Sequence, residues 1–444
     1  MKVENTLMTV GNIKSKMIKF AIPIFFGNLF QQLYNMVDAI VVGNYLGSNA
    51  LAAVTSTGSL IFLLVGFFGG MFSGAGIVIS RYFGAEDSEN TKRAVGTAVS
   101  FGCSSGIIMT LIGTIFTPFI LRLMGTPAEV FSDATAYIRT YFMGIIFISL
   151  YNTAGGIFQA IGDSKRPLYY LLISSACNIV LDIVFVAGLD MGVKGAAFAT
   201  IISQAISAIL AFIRLSKVKA DYRVTPSVIC LDRDKLKEML RIGLPSGVQN
   251  SVIAFANVVV QSSVNSFGAA AMAGVGAYAK IEGFAFIPIN AFTMAITTFV
   301  SQNLGAKNKK RAKEGANFGI IFSCVLAEII GIIFILLAPQ LISIFNSDPE
   351  IVAIGARKAY LNAWFYFLLS FSHCIASVLR GAGKSSVPMY IMLGCWCIIR
   401  VLYIKIFTFL IPSIDVVFWA YPITWFLSSV LFLIYYRRSS FLDE

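Results

Sequence analysis

Long apolar runs alternate with short polar segments from one end of the chain to the other, and this pattern leaves few folds open. A membrane span needs roughly 20 apolar residues. Runs of that kind occupy residues 20–46, 51–80, 94–117, 132–160, 167–188 and 193–213, then 242–266, 270–301, 316–338, 355–379, 388–411 and 415–436. The segments between them are too short for an extramembrane domain, the longest lying near Ser216–Lys237. With 57% hydrophobic and 13% charged residues, 444 residues could not hide their apolar surface in water. The same balance excludes disordered, collagen-like and disulfide-built proteins. The expected fold class is an all-α membrane protein with twelve transmembrane helices.

Charge placement orients the spans. One set of alternate loops holds 26 of the 34 Lys and Arg, and the other set holds five. The rich set includes the N-terminus, eight basic residues from Arg214 to Arg241 and five from Lys307 to Lys313. By the positive-inside rule both termini are cytoplasmic in a multi-pass protein of the cell (inner) membrane. The net charge of +12 is scattered in short clusters, so no contiguous basic face exists for nucleic acid. The run that starts at Phe20 is too long for the core of a cleavable signal and reads as the first span. Six of the seven Cys lie in apolar runs and Cys230 in a basic loop, so neither disulfides nor a metal pair are expected.

The chain repeats itself. Pro23 matches Pro245, and from the first loop onward the offset is 221: Gly47 with Gly268, Ser80 with Ser301, Gly84 with Gly305, Gly162 with Gly383 and Pro167 with Pro388. Six spans per half is an even number, so both halves enter from the same side, which makes this a parallel repeat. The expected organisation is a cytoplasmic N-terminus (1–19), a six-helix bundle (20–213), a cytoplasmic linker (214–241), a second six-helix bundle (242–436) and a cytoplasmic tail (437–444). Two pseudo-equivalent bundles suit transport by alternating access, with the lipid bilayer and small organic molecules as partners. No pairing motif asks for a dimer, so a monomer is expected.

A charge at mid-bilayer costs roughly 2.5 to 3.5 kcal/mol on insertion scales and is a functional candidate by default. Asp38, Asp182, Lys280, Glu282, Glu328, Arg400 and Lys405 fall inside the expected spans. At a rise of about 1.5 Å per residue, Asp38, Asp182 and Thr200 all reach the outer half of the first bundle. Asn178 is four residues before Asp182 and shares its helix face. Two carboxylates, an amide and a hydroxyl form an oxygen-rich set able to hold Na⁺ or a shared proton. Glu282 and Arg400 have similar depths in the second bundle and are expected either to pair or to meet substrate. No nucleotide or other cofactor is expected. The run Gly381-Ala382-Gly383-Lys384-Ser385 resembles a phosphate loop but has Val378 where that loop needs Gly. His373 is the only His, which leaves metal clusters and serine–histidine catalysis without their parts, so an enzyme is not expected.

The run Pro23-Ile-Phe-Phe-Gly-Asn-Leu-Phe-Gln31-Gln32-Leu-Tyr-Asn35-Met-Val-Asp38, then Gly43-Asn-Tyr-Leu-Gly47, resembles the opening signature of the multidrug and toxic compound extrusion (MATE) family. Ser301-Gln302-Asn303-Leu-Gly305-Ala306 and the paired segments around Gly162-Asp163-Ser164 and Arg380-Gly-Ala-Gly383-Lys384 resemble its later motifs. The resemblance spans nearly the whole chain. It implies an antiporter exporting organic, mostly cationic and amphipathic compounds in exchange for H⁺ or Na⁺. It also implies a cation-coupling site at Asp38, Asn178, Asp182 and Thr200, with Tyr137, Asn152, Asn35 and Gln31 in the surrounding network or substrate cavity and a bend near Pro23. Spans 7 and 10 contain no Asp or Glu, so the second-bundle cation site of another branch does not carry over; Glu282 in span 8 is a different acidic contact. The alternative is a flippase for lipid-linked saccharides, which would want more intramembrane basic residues than this chain has.

Overall fold

The computed structural model describes residues 7–439 apart from 124, and the side chains at 38–41, 43–44 and 47–63 lie outside that description. Among the described residues, fourteen α-helices carry the chain. They are α1 (Ile13–Gly84), α2 (Ser88–Leu123), α3 (Ala128–Met143), α4 (Ile145–Ala160), α5 (Lys165–Asp182), α6 (Gly192–Lys217) and α7 (Arg233–Asn265), followed by α8 (Ala269–Gly305), α9 (Lys309–Ser343), α10 (Pro349–Asn362), α11 (Tyr366–Gly381), α12 (Ser386–Met392), α13 (Arg400–Leu410) and α14 (Ile414–Arg438). Among the described residues there is no strand. Helix starts follow local chemistry. Asn308, Asp348 and Ser413 cap α9, α10 and α14 through side-chain oxygens, and Pro349 opens α10 where a missing N–H costs nothing.

Nine described helices are long and apolar enough to cross a membrane, or ten when the bent pair α3 and α4 counts as one span. Ten of the twelve expected spans are thus met. The first two expected spans, 20–46 and 51–80, lie on the one continuous helix α1, whose backbone has no turn at 47–50, and many of its side chains there lie outside the description. The seventh corresponds to α7, a helix interrupted by Gln249, Asn250, Asn257 and Gln261.

The chain divides into two compact units: Phe26–Leu240 is the body of one, and Met8–Phe25 joins Arg241–Glu444 in the other. The division departs from the sequence-drawn boundaries at two places. Residues 8–25 pack with the second unit, where Met8, Met17, Phe20, Ala21 and Ile24 enter a core with α8 and α9. The 214–240 stretch stays with the first unit. Its polar side chains explain this. Arg93 Nε donates to Asp232 Oδ2 at 2.7 Å, Ser88 Oγ donates to Asp221 Oδ1 at 2.6 Å, and Lys235 Nζ donates to the Tyr82 hydroxyl at 2.6 Å. The end of the expected linker, from Arg233 on, is the start of α7.

The repeat is visible in backbone geometry. Glu86 and Lys307, offset by 221, are non-glycine residues at φ +56° and +57°. One residue later, Asp87 and Asn308 accept the backbone N–H of Asn90 and Arg311, each at 3.1 Å. Gly162 (φ +84°) and Gly383 (φ +79°) turn the chain between spans at the same offset, in a conformation glycine adopts without strain. The phosphate-loop lookalike at Gly381–Ser385 is therefore a span-end turn. A helix break also recurs. Gly144 separates α3 from α4 at a 48° bend, and a 3-10 turn, Ala363–Phe365, separates α10 from α11. Glu328 serves the second break: its Oε2 accepts the Phe367 N–H at 3.2 Å.

Small residues let the helices of the first unit approach closely. A Cβ on Gly106 of α2 would stand 2.9 Å from the Ile146 Cα, and one on Gly102 would overlap the Thr153 hydroxyl. Across that seam Ser149 Oγ donates to the Gly102 carbonyl at 2.6 Å. At the 221 offset, the Ser370 and Ser323 hydroxyls meet at 2.8 Å in the second unit. The opposite side of α2 exposes Ile108, Leu111, Ile115 and Phe119, as a lipid-facing stripe should.

Candidate functional site

In the first unit, α5 carries Asn178 and Asp182 one helical turn apart, and both are buried at 2% and 1% exposure. Thr200 of α6 is buried beside them. With its amide nitrogen turned toward the carboxylate, the orientation that satisfies both ends, Asn178 donates to Asp182 Oδ2 at 3.1 Å. Its oxygen then accepts the Thr200 backbone N–H at 3.2 Å. The amide thus ties α5 to α6 at the carboxylate. The Thr200 hydroxyl donates to the Ala196 carbonyl at 3.1 Å, within its own helix. A π-helical stretch, Ile183–Gly188, begins at the residue after Asp182. Such stretches are rare and frequent at functional sites.

Tyr137 of α3 is buried and stacks on Tyr141 with ring centroids 6.4 Å apart. It packs in one apolar cluster with Val186, Ala196 and Ala197, which flank the Asp182 and Thr200 positions by one turn. Asn152 of α4 lines a small cavity with Phe68, Met109, Ile145 and Ser149. Sequence reasoning therefore brought Asn178, Asp182, Thr200 and Tyr137 to one region of the unit, with Asn152 close by. Gln31 and Asn35 are exposed on α1. The Asp38 side chain lies outside the described residues. Pro23 is buried inside α1, two residues before the chain leaves the second unit at Phe25. Among the described residues no group of three His, Cys, Asp or Glu could hold a metal ion.

The second unit holds a different cluster. Arg400, 3% exposed, donates through Nε and Nη2 to Thr424 Oγ1 at 3.1 and 2.8 Å. Its guanidinium lies 4.5 Å from the Tyr421 ring centroid. Among the described residues it forms no ion pair with Glu282, so the expected direct pairing does not occur; Thr424 and Tyr421 take its place. Glu282 is near enough to interact electrostatically with Lys358 and Arg400, and its Oε1 is covered without a hydrogen bond. Lys358 was missed. Its position near an expected outer span end placed it among loop residues, yet it is buried at 4% exposure. The repeat could have found it, because 221 residues earlier stands Tyr137.

The family signatures have structural duties. Gln302 Oε1 accepts the Met8 N–H at 2.8 Å, and Asn303 Nδ2 donates to the Met8 carbonyl at 3.3 Å. Arg311 donates to the same carbonyl at 3.2 Å. These bonds pin the chain just before α1 to the end of α8. The only His, His373, packs edge-on against Trp396 and Phe286.

Comparison with known proteins agrees with this architecture. The MatE family model matches the chain twice, at residues 23–184 and 245–405, which reproduces the two halves of the repeat. The chain is 31% identical over 379 residues, 84% of its length and 82% of the relative's, to the probable multidrug resistance protein YoeA of Bacillus subtilis (strain 168). It is 24% identical over 391 residues, 87% of its length and 86% of the relative's, to the multidrug export protein MepA of Staphylococcus aureus (strain MSSA476). Its fold matches an outward-facing multidrug resistance MATE family transporter of the MOP superfamily with a TM-score of 0.92, at 23% identity and 98% coverage of both chains. The chain belongs to the MatE family, the multidrug and toxic compound extrusion proteins, and is a multi-pass membrane transporter of the multidrug efflux type.

Proposed function

We propose that the protein is a secondary antiporter that exports organic, mostly cationic and amphipathic compounds by alternating access, driven by inward movement of H⁺ or Na⁺. The buried Asp182–Asn178–Thr200 arrangement carries this reading. A carboxylate held inside the membrane is costly unless it exchanges partners that neutralise it. A cation that enters beside Asp182 supplies that neutralisation and displaces a cationic substrate, so the two compete and exchange. Asn178 fixes the carboxylate in place, and Tyr137 closes the region with aromatic surface. Asp38 adds the second carboxylate of the site. The protein acts as a monomer with both termini in the cytoplasm and needs no cofactor beyond its coupling ion. The multidrug names of the relatives support efflux over lipid-linked saccharide flipping.

The test is ethidium accumulation in cells stripped of their own efflux pumps and expressing the protein. Wild type lowers accumulation and Asp182→Asn restores it at equal membrane abundance. Equal accumulation with and without wild-type protein contradicts efflux, and full activity in Asp182→Asn contradicts the site.

A further inference from the structure

The second unit buries two basic side chains around one aromatic ring. Lys358 Nζ lies 5.1 Å from the Tyr421 ring centroid and 5.0 Å from that of Tyr278. The Arg400 guanidinium lies 4.5 Å from the same Tyr421 ring and 5.5 Å from Trp396. Tyr278 and Tyr366 join hydroxyls at 2.6 Å beside them. Against these two basic groups stands one carboxylate, Glu282, with no ion pair to either among the described residues. Arg400 spends two donors on Thr424, whereas Lys358 makes no hydrogen bond among the described residues. Its ammonium carries three donors and lies over the Tyr278 and Tyr421 ring faces.

The cluster therefore holds one formal positive charge in excess, inside a membrane protein. A guanidinium cannot be discharged in a protein. Ring faces return only part of the lost hydration of a buried cation. A monovalent anion beside Lys358 would balance the charge and accept the unused donors.

The repeat gives this cluster a definite place. At the 221 offset, Lys358 stands where Tyr137 stands in the first unit, and Tyr421 where Thr200 stands. Each site also adjoins a π-helical stretch, although the two stretches are not equivalent under the 221 offset. Asp182 precedes the π-helical stretch Ile183–Gly188, and Arg400 follows the π-helical stretch Leu393–Ile399. One half of the molecule thus builds an acidic site at this position and the other builds a basic one. We propose that the second unit contains a monovalent-anion site formed by Lys358 and Arg400 around Tyr421, which takes either a small inorganic anion such as chloride or the carboxylate of an organic anion. This inference does not depend on which cation drives transport.

The test uses purified full-length protein in detergent at fixed pH, sodium and ionic strength, with gluconate replaced stepwise by chloride, bromide or benzoate. Thermal unfolding of wild type rises by several degrees and saturates, because a ligand bound only by the folded state stabilises it. A rise with chloride and bromide identifies an inorganic anion, and a rise with benzoate alone identifies an organic carboxylate. Lys358→Gln loses the rise, Lys358→Arg keeps it, and Lys194→Gln, at an exposed position, keeps it. Where Lys358→Gln does not fold, bromide anomalous scattering from wild-type crystals places the ion. No rise with any of the three anions, a full rise in Lys358→Gln, or bromide absent from Lys358 overturns the proposal.

Discussion

The Asn178 amide bridges two helices at a buried carboxylate, meeting Asp182 Oδ2 at 3.1 Å and the Thr200 backbone N–H at 3.2 Å. A hydrogen bond to a charged group is worth about 1.5–3 kcal/mol, and each 1.4 kcal/mol is about tenfold in affinity. Asn178→Ala should therefore raise the ion concentration for half-maximal transport by roughly ten- to a hundredfold. Titrating the driving ion against ethidium transport in proteoliposomes measures it. An unchanged midpoint would mean that the amide does not position the carboxylate.

Thr200 should behave differently. Its contact to Asn178 is made by the backbone, and its hydroxyl is bonded to Ala196. Thr200→Val keeps the backbone N–H and nearly the same volume, so the midpoint should move by less than about threefold, under 1 kcal/mol. A loss of tenfold or more would make the hydroxyl a direct ligand of the ion.

Gln302 holds Met8, a residue 1% exposed, by its backbone N–H. Gln302→Ala leaves that buried donor unpaired, at a cost of about 1–3 kcal/mol. The expected result is a lower unfolding temperature and faster protease cleavage within residues 7–12. The driving-ion midpoint should stay at the wild-type value. A shifted midpoint with unchanged stability would assign the motif to transport itself.

The 214–240 stretch gives a pH dependence outside the membrane. The Lys235 backbone N–H, then the Arg93 side chain, hold the Asp232 carboxyl below its usual value. A depressed folded value means the stabilisation is complete above the unfolded value, about 3.9, and is lost as pH falls through the folded one. Hydrogen exchange at 219–232 should be slow and flat from pH 7 to 5, after correction for intrinsic rates, and should quicken below about 4. In Asp232→Asn it should be faster throughout and lack the acid step. An acid step that survives in the variant would place its origin elsewhere.

The membrane class and the two-fold repeat were legible because they rest on long-range patterns. Apolar runs report burial in lipid, and matched turn glycines such as Gly162 and Gly383 report matched backbone needs. Asn178 and Asp182 were legible because a spacing of four fixes a helix face whatever the tertiary fold. Lys358 was not. Its burial depends on α10 packing against α8 and α14, and a lysine near a span end reads as a loop residue when taken alone. The partner of Arg400 was equally hidden, since depth alone pointed to Glu282 and only packing brought Thr424 to it. The assignment of residues 8–25 to the second unit has the same origin: hydropathy locates a span but does not say which neighbours it joins.

Coupling through the acidic site is tested most directly by ethidium counterflow in proteoliposomes under an imposed pH gradient or an imposed Na⁺ gradient, for wild type, Asp182→Asn and Asp38→Asn. Transport driven by one gradient in wild type and lost in both variants, with folding verified, is the expected result. Gradient-driven transport that persists in Asp182→Asn would contradict coupling at this carboxylate.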